Sequence, residues 1–277
     1  MPQLRHIGAM PELPEVETTV RGLEHVLKGR RIKSVEVRRP DLRRSFPNDL
    51  GQRLTGATVI GLGRRAKYGL IHTDRDDTVI FHLGMSGSWR INHSRLEKHD
   101  HLLLETDEGS RLALNDPRRF GSVDLVPTGE LSEWPALRTL GPEPLTVTPE
   151  ELQRRLAGRS APIKLLLLDQ RIIAGLGNIY ICEALYRAGI HPKRPGGSIS
   201  LERLYRLVPA IHDILDEAIA AGGSTLKDFA APDGELGYFS KSFSVYGREG
   251  QPCSCGGVVK RFVQGGRSTF YCTRCQR

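Results

Sequence analysis

The sequence predicts an α+β multidomain chain: an antiparallel β-sandwich or barrel first, a helical domain second, and a small cysteine-bearing appendage last. Three observations carry this. Between residues 32 and 127 apolar residues come in short alternations broken by turn residues, whereas beyond a proline-rich stretch they recur at helical spacing. Four of the five cysteines fall after Tyr246, in a glycine-rich segment too short to build a core without a staple.

The elements follow in order. Residues 14–28 read as a helix, with Pro14 suited to its first turn, Val16, Val20, Leu23 and Leu27 on one face, and Gly29 ending it. Ile32-Val35-Val37, Val79-Phe81-Leu83 and Leu102-Leu104 are strand alternations, with Gly84, Gly87 and Gly109 at the turns between. A link runs from Pro135 to Pro149, and helices are expected over 149–157, 162–170, 178–188 and 200–221. Leu165-Leu166-Leu167-Leu168 reads as a buried helical segment. No internal repeat is evident. The domain boundaries so drawn are 11–134, a linker at 135–148, 149–240 and 246–277.

No apolar run approaches the roughly 20 residues a membrane span needs, and residues 1–10 lack the apolar core of a secretory signal, so a cytoplasmic protein without a membrane partner is expected. A net charge of +8 and a pI of 9.4 favour a polyanionic partner, because Lys and Arg that neutralise phosphates release counterions.

Cys253, Cys255, Cys272 and Cys275 form C-x-C-x16-C-x2-C, close to the paired spacing of a structural zinc site. One Zn2+ per chain is expected, with a disulfide pair as the alternative that a reducing compartment disfavours. The first pair is one residue shorter than the usual C-x2-C, a change that tightens the knuckle. Cys182, among apolar neighbours in a helix, reads as a buried structural thiol.

From Pro11 onward the chain resembles the bacterial formamidopyrimidine-DNA glycosylases. The motifs that carry the resemblance are PELPEVE at 11, RRAKY at 64, HLGMSGS at 82, NDPRRFG at 115, GLGNIY at 175, GGSTLKDF at 222 and the cysteine segment. The resemblance implies a two-sheet β-sandwich with flanking helices, a helix-two-turn-helix domain and a zinc-finger β-hairpin, with DNA in the cleft between domains. It implies a monomeric bacterial repair enzyme that removes oxidised purines, 8-oxoguanine and formamidopyrimidines, from double-stranded DNA. The same enzymes then cut the abasic strand by successive β,δ-elimination.

Residue by residue, the resemblance makes Pro11 the nucleophile that attacks the sugar C1′ and leaves a covalent Schiff base. A free prolyl nitrogen is a basic secondary amine, whereas the same atom within a peptide bond is a resonance-delocalised amide. Nine residues precede Met10, so either translation starts at Met10 and that methionine is removed, or the motif is inert as a nucleophile. Read without the resemblance, Pro11 is a helix-start proline. Glu12 resembles the general acid, and Glu15 orients the amine or opened sugar; their plain readings are a first-turn glutamate and a cap. Lys67 resembles a proton donor and phosphate contact, otherwise a solvated surface lysine.

Extruding a base leaves a void, and Met85, Arg118 and Phe120 resemble the triad that fills it. Alone, Phe120 reads as core and Met85 as a gap-filler. His99, Asn178 and Arg267 match DNA-backbone contacts, with Arg267 also assigned to the second elimination; Asn178 reads equally as an N-cap. Arg159 lies beside a further contact whose matching position is Ser160. Lys227 and Thr225 lie near Asp233–Phe239, which resembles a loop closing over the everted base. The rival readings are the sister enzymes acting on oxidised pyrimidines, a non-catalytic damaged-DNA binder if residues 1–10 are retained, and Pro2 as nucleophile, which has Gln3 where the acid should stand.

Overall fold

The computed structural model describes residues 10–224 and 239–277, and it divides into two compact units. In the first, helix α1 (Leu13–Leu27) buries Val16, Val20, Leu23 and Leu27, the face its spacing predicts. It ends at Lys28, and Gly29 takes the left-handed backbone (φ 77°) that a residue with a Cβ rarely adopts.

Eight strands follow: β1 (Ile32–Val37), β2 (Val59–Arg65), β3 (Tyr68–Thr73), β4 (Asp77–His82), β5 (Ser88–Ile91), β6 (Asp100–Thr106), β7 (Arg111–Asn115) and β8 (Ser122–Pro127). They form two four-stranded antiparallel sheets, ordered β1-β6-β7-β5 and β2-β3-β4-β8. One apolar core joins both sheets and α1: Leu102, Leu104, Leu112 and Leu114 from the first, Val59, Ile71, Val79, Phe81, Val123 and Leu125 from the second. The first unit is therefore a sandwich, and inward side chains from both sheets fill it.

Two short helices in this unit were not expected. α2 (Leu50–Leu54) anchors through Leu50 and Leu54, and α3 (Pro135–Arg138) opens the proline-rich link. Both are too short for a helical period to show in sequence.

The second unit holds α4 (Pro149–Leu156), α5 (Ile163–Leu168), α6 (Asn178–Arg187), α7 (Leu201–Ala220) and a hairpin of β9 (Val259–Gln264) and β10 (Arg267–Cys272). Thr148 caps α4 by accepting the Glu151 N–H, and α6 packs along α7. Leu166 and Leu167 are buried but Leu165 and Leu168 only partly so, because four successive residues on a helix cannot all face one core. Cys182 is buried. Among the described residues no helix is long and apolar enough to cross a membrane.

Candidate functional site

The PELPEVE motif folds as the entry to α1. Glu12 occupies the N-cap, and its N–H donates to Glu15 Oε2 at 2.9 Å. Glu15 Oε1 accepts both the N–H and the hydroxyl of Ser224, at 2.8 and 2.7 Å, so a carboxylate in the first helical turn ties the GGST motif to the chain entry. Gly223 makes room for this: a Cβ there would lie 3.2 Å from Glu15 Oε1. Glu15 thus does what its plain reading as a cap required and more. Pro11, Glu12 and Glu15 are all buried.

Lys67 sits in the two-residue turn between β2 and β3, where Ala66 takes a left-handed backbone (φ 53°). It is only 8 % exposed, which departs from a solvated surface lysine. Arg64 positions this turn: its Nε reaches Glu17 of α1 at 2.9 Å and a guanidinium nitrogen holds the Ala66 carbonyl at 2.9 Å. The charge of Lys67 also bears on His82, the first residue of HLGMSGS. Burial first, then Lys67, Arg43 and Arg44, bring the His82 imidazole down to about 4. His82 is therefore neutral near pH 7, and its Nδ1 accepts the Gly84 N–H.

HLGMSGS and NDPRRFG pack against each other through one buried carboxylate. Asp116 accepts the Ser86 hydroxyl at 2.6 Å and the Gly121 N–H at 2.8 Å, while Ser86 Oγ accepts the Arg118 N–H at 3.0 Å. A Cβ on Gly84, whose φ is 64°, would meet the Phe120 backbone at 2.3 Å, so only glycine permits this approach. Arg119 reverses the chain with φ 56°, and the Arg118 guanidinium lies 5.1 Å from the Phe120 ring centroid. Phe120 is 45 % exposed, contrary to its plain reading as core, and Met85 is half-buried. His99 is half-buried beside the ring of His101, in the turn that precedes β6.

In the second unit the residue capping α6 is Gly177, not Asn178. Asn178 is the first helical residue, and its amide donates to the Ser268 carbonyl at 2.9 Å, one residue from Arg267. The fully buried Lys164 donates to Thr269 Oγ1 at 2.6 Å on the same strand. Arg267 is exposed at the first position of β10, after the Gly265-Gly266 turn. Arg159 is exposed, with Nε on the Arg155 carbonyl. Lys227, Thr225 and the 233–238 stretch lie outside the described residues.

The four cysteine sulfurs lie within 4.8 Å of one another, with 3.7 Å between Cys253 and Cys275 and 3.5 Å between Cys255 and Cys272. Tetrahedral zinc at about 2.3 Å from each sulfur requires sulfurs about 3.8 Å apart. The set fits one structural Zn2+, which all four cysteines would hold; closed by thiolates on every side, such an ion supplies folding energy and no open position for substrate.

Sequence reasoning did not single out Asp116, Ser86, Ser224 or Lys164 as positioning groups. The first three lie inside the motifs that were recognised, so membership in NDPRRFG, HLGMSGS and GGST was their signal. Lys164 had none beyond being a charged residue in an apolar helix.

Comparison with known proteins accords with this geometry. Residues 10–123 match the formamidopyrimidine-DNA glycosylase N-terminal domain, 140–230 the H2TH domain of the same enzymes, and 250–277 a zinc finger found in FPG and IleRS. The chain is 67% identical over 270 residues to a formamidopyrimidine-DNA glycosylase of Novosphingobium aromaticivorans, and 64% identical over 270 residues to one of Rhizorhabdus wittichii. Each alignment covers 97% of this chain and 100% of the relative. A solved complex between Lactococcus lactis Fpg and an abasic site containing DNA superposes with a TM-score of 0.89 at 34% identity, covering 96% of this chain and 100% of that one. The chain therefore belongs to the formamidopyrimidine-DNA glycosylase family and is a DNA glycosylase of DNA repair.

Proposed function

We propose that the chain is a bifunctional DNA glycosylase and AP lyase that acts on duplex DNA carrying oxidised purines, 8-oxoguanine and formamidopyrimidines, or abasic sites. The observation that supports this best is the buried group at the entry to α1, where Pro11 and Glu12 lead into Glu15 and Glu15 holds Ser224 of a distant motif. Support for the partner comes from the Lactococcus lactis Fpg solved with DNA containing an abasic site, and from a mutant of it solved with DNA containing Fapy-dG.

In this reading the Pro11 nitrogen is a secondary amine that bonds to C1′ as the base departs with the glycosidic electron pair. Glu12 supplies the proton taken by the leaving base or the sugar ring oxygen. Loss of the amine proton and ring opening leave an iminium. Its electron demand lets the C2′ proton go and the 3′ phosphate leave, and a second elimination expels the 5′ phosphate. Lys67 delivers a proton during elimination, and Arg267 holds a phosphate and assists the second step. Met85, Arg118 and Phe120 fill the space left by the extruded nucleotide, with Arg118 facing the orphaned base. His99, Asn178, Lys227 and Arg159 are proposed as backbone contacts.

The chemistry demands a free amine, so the Met10–Pro11 peptide bond must be cleaved. Protein expressed from its own gene with its own upstream region is incubated with a duplex holding 8-oxoguanine opposite cytosine and reduced with borohydride. The expected product is a covalent adduct whose protein mass begins at Pro11. An unmodified duplex with protein retaining residues 1–10 would instead leave a damaged-DNA binder, and strong preference for thymine glycol would assign the enzyme to oxidised pyrimidines.

A further inference from the structure

Helix α6 touches the zinc hairpin region at three levels. At its start Asn178 holds the Ser268 carbonyl, and one turn on the buried Glu183 carboxylate accepts the N–H groups of Ser244, Val245 and Tyr246. In its last turn the Tyr186 hydroxyl lies 3.2 Å from Cys253 Sγ and 3.5 Å from Ser254 Oγ. Cys253 and Ser254 belong to the knuckle that is one residue shorter than the common C-x2-C.

A zinc-bound cysteine is a thiolate with no proton to give, so the phenol must be the donor to Cys253. The phenol has one proton, and of its two neighbours the sulfur is the one well inside bonding range; an oxygen at 3.5 Å is at the edge. The Ser254 hydroxyl is then free to donate to the phenolic oxygen. Four thiolates around one Zn2+ leave the site doubly negative, and a donor aimed at one sulfur disperses that charge and fixes its direction.

We infer that Tyr186 is a positioning residue of the metal site, whose O–H bond to the Cys253 thiolate slows loss of zinc from the shortened knuckle. Groups that hydrogen-bond metal ligands change affinity by about 10- to 100-fold when removed. The side chain acts from a helix already locked to the hairpin by Asn178 and Glu183, so its hydroxyl is delivered at fixed distance rather than by a mobile chain.

Tyr186→Phe removes this one oxygen. Zinc-loaded wild-type and Y186F proteins, each first shown to carry one zinc per chain by metal analysis, are mixed with excess chromogenic chelator and the release rate is followed. Y186F is expected to release zinc about 10-fold faster. S254A serves as the control and is expected to release at close to the wild-type rate. Cobalt-substituted proteins supply a readout that a merely structural role would not move: losing the hydrogen bond raises the energy of the sulfur lone pairs, so the sulfur-to-cobalt charge-transfer band moves to longer wavelength in Y186F. Equal release rates with an unmoved band would overturn the inference. So would an S254A effect as large as that of Y186F with no further effect in the double variant, since the hydroxyl would then act through Ser254.

Discussion

Phe120 is a large aromatic side chain left 45 % exposed at a strained turn, with a guanidinium over its ring. A core phenylalanine loses about 3–5 kcal/mol of stability on truncation to alanine. One kept outside the core for use against DNA costs little, within about 0.5–1 kcal/mol including the cation–π contact. Phe120→Ala is therefore expected to leave the denaturation midpoint nearly unchanged while weakening binding to a lesion duplex by roughly tenfold or more, the scale of a lost stacking platform. Denaturation curves beside binding isotherms check this; a large stability loss with unchanged binding would return Phe120 to the core. The residue types of this site were readable because each motif is short and contiguous. What positions Phe120 was not, because Asp116 and Ser86 meet across 30 residues of chain and neither looks special alone.

At the level of elements, α6 packs against α5, α7 and β10 of the second unit. Its Glu183 carboxylate is buried, and desolvation raises its pKa even though three backbone N–H groups from 244–246 oppose that rise. Those bonds replace what would otherwise be unsatisfied donors where the chain turns toward the hairpin. Glu183→Gln keeps the size but offers one neutral acceptor oxygen to three donors. The expected result is a loss of about 2–3 kcal/mol, seen as faster amide exchange at Ser244, Val245 and Tyr246 and a lower denaturation midpoint. Exchange as slow as in the wild type would show that backbone geometry alone holds the segment. Helix limits were legible within one or two residues, since periodicity and Pro-Gly punctuation act locally. Asn178 shows the boundary of that legibility: the sequence allows an N-cap there, but its amide donates to the Ser268 carbonyl on β10 and Gly177 takes the cap.

At the scale of folding stability, His82 is the titratable group with the clearest consequence. In the unfolded chain it titrates near the ordinary value of 6.5, and in the folded protein burial and neighbouring cations bring it to about 4. Between these values the unfolded state binds the extra proton, so stability rises with pH. The contribution from keeping His82 neutral is fully present above pH 6.5 and is lost as pH falls toward 4, reaching at most about 3 kcal/mol. Urea midpoints for the wild type are expected to drop between pH 7 and pH 4.5, and His82→Gln should flatten that slope. Parallel slopes in the two proteins would assign the acid sensitivity to other groups.

The order of sheets, helices and zinc hairpin was determined by the sequence alone, because period-2 and period-3.6 patterns, turn residues and metal-ligand spacing are written over a few consecutive positions. The residues of the site were legible through the short motifs that carry the family resemblance. Only the tertiary structure decided which of them are held still. Ser224 reaches Glu15 across 209 residues, Lys164 reaches Thr269 across 105, and Tyr186 reaches Cys253 across 67. Contacts of that range depend on the path of the whole chain through its core, and no local pattern encodes them.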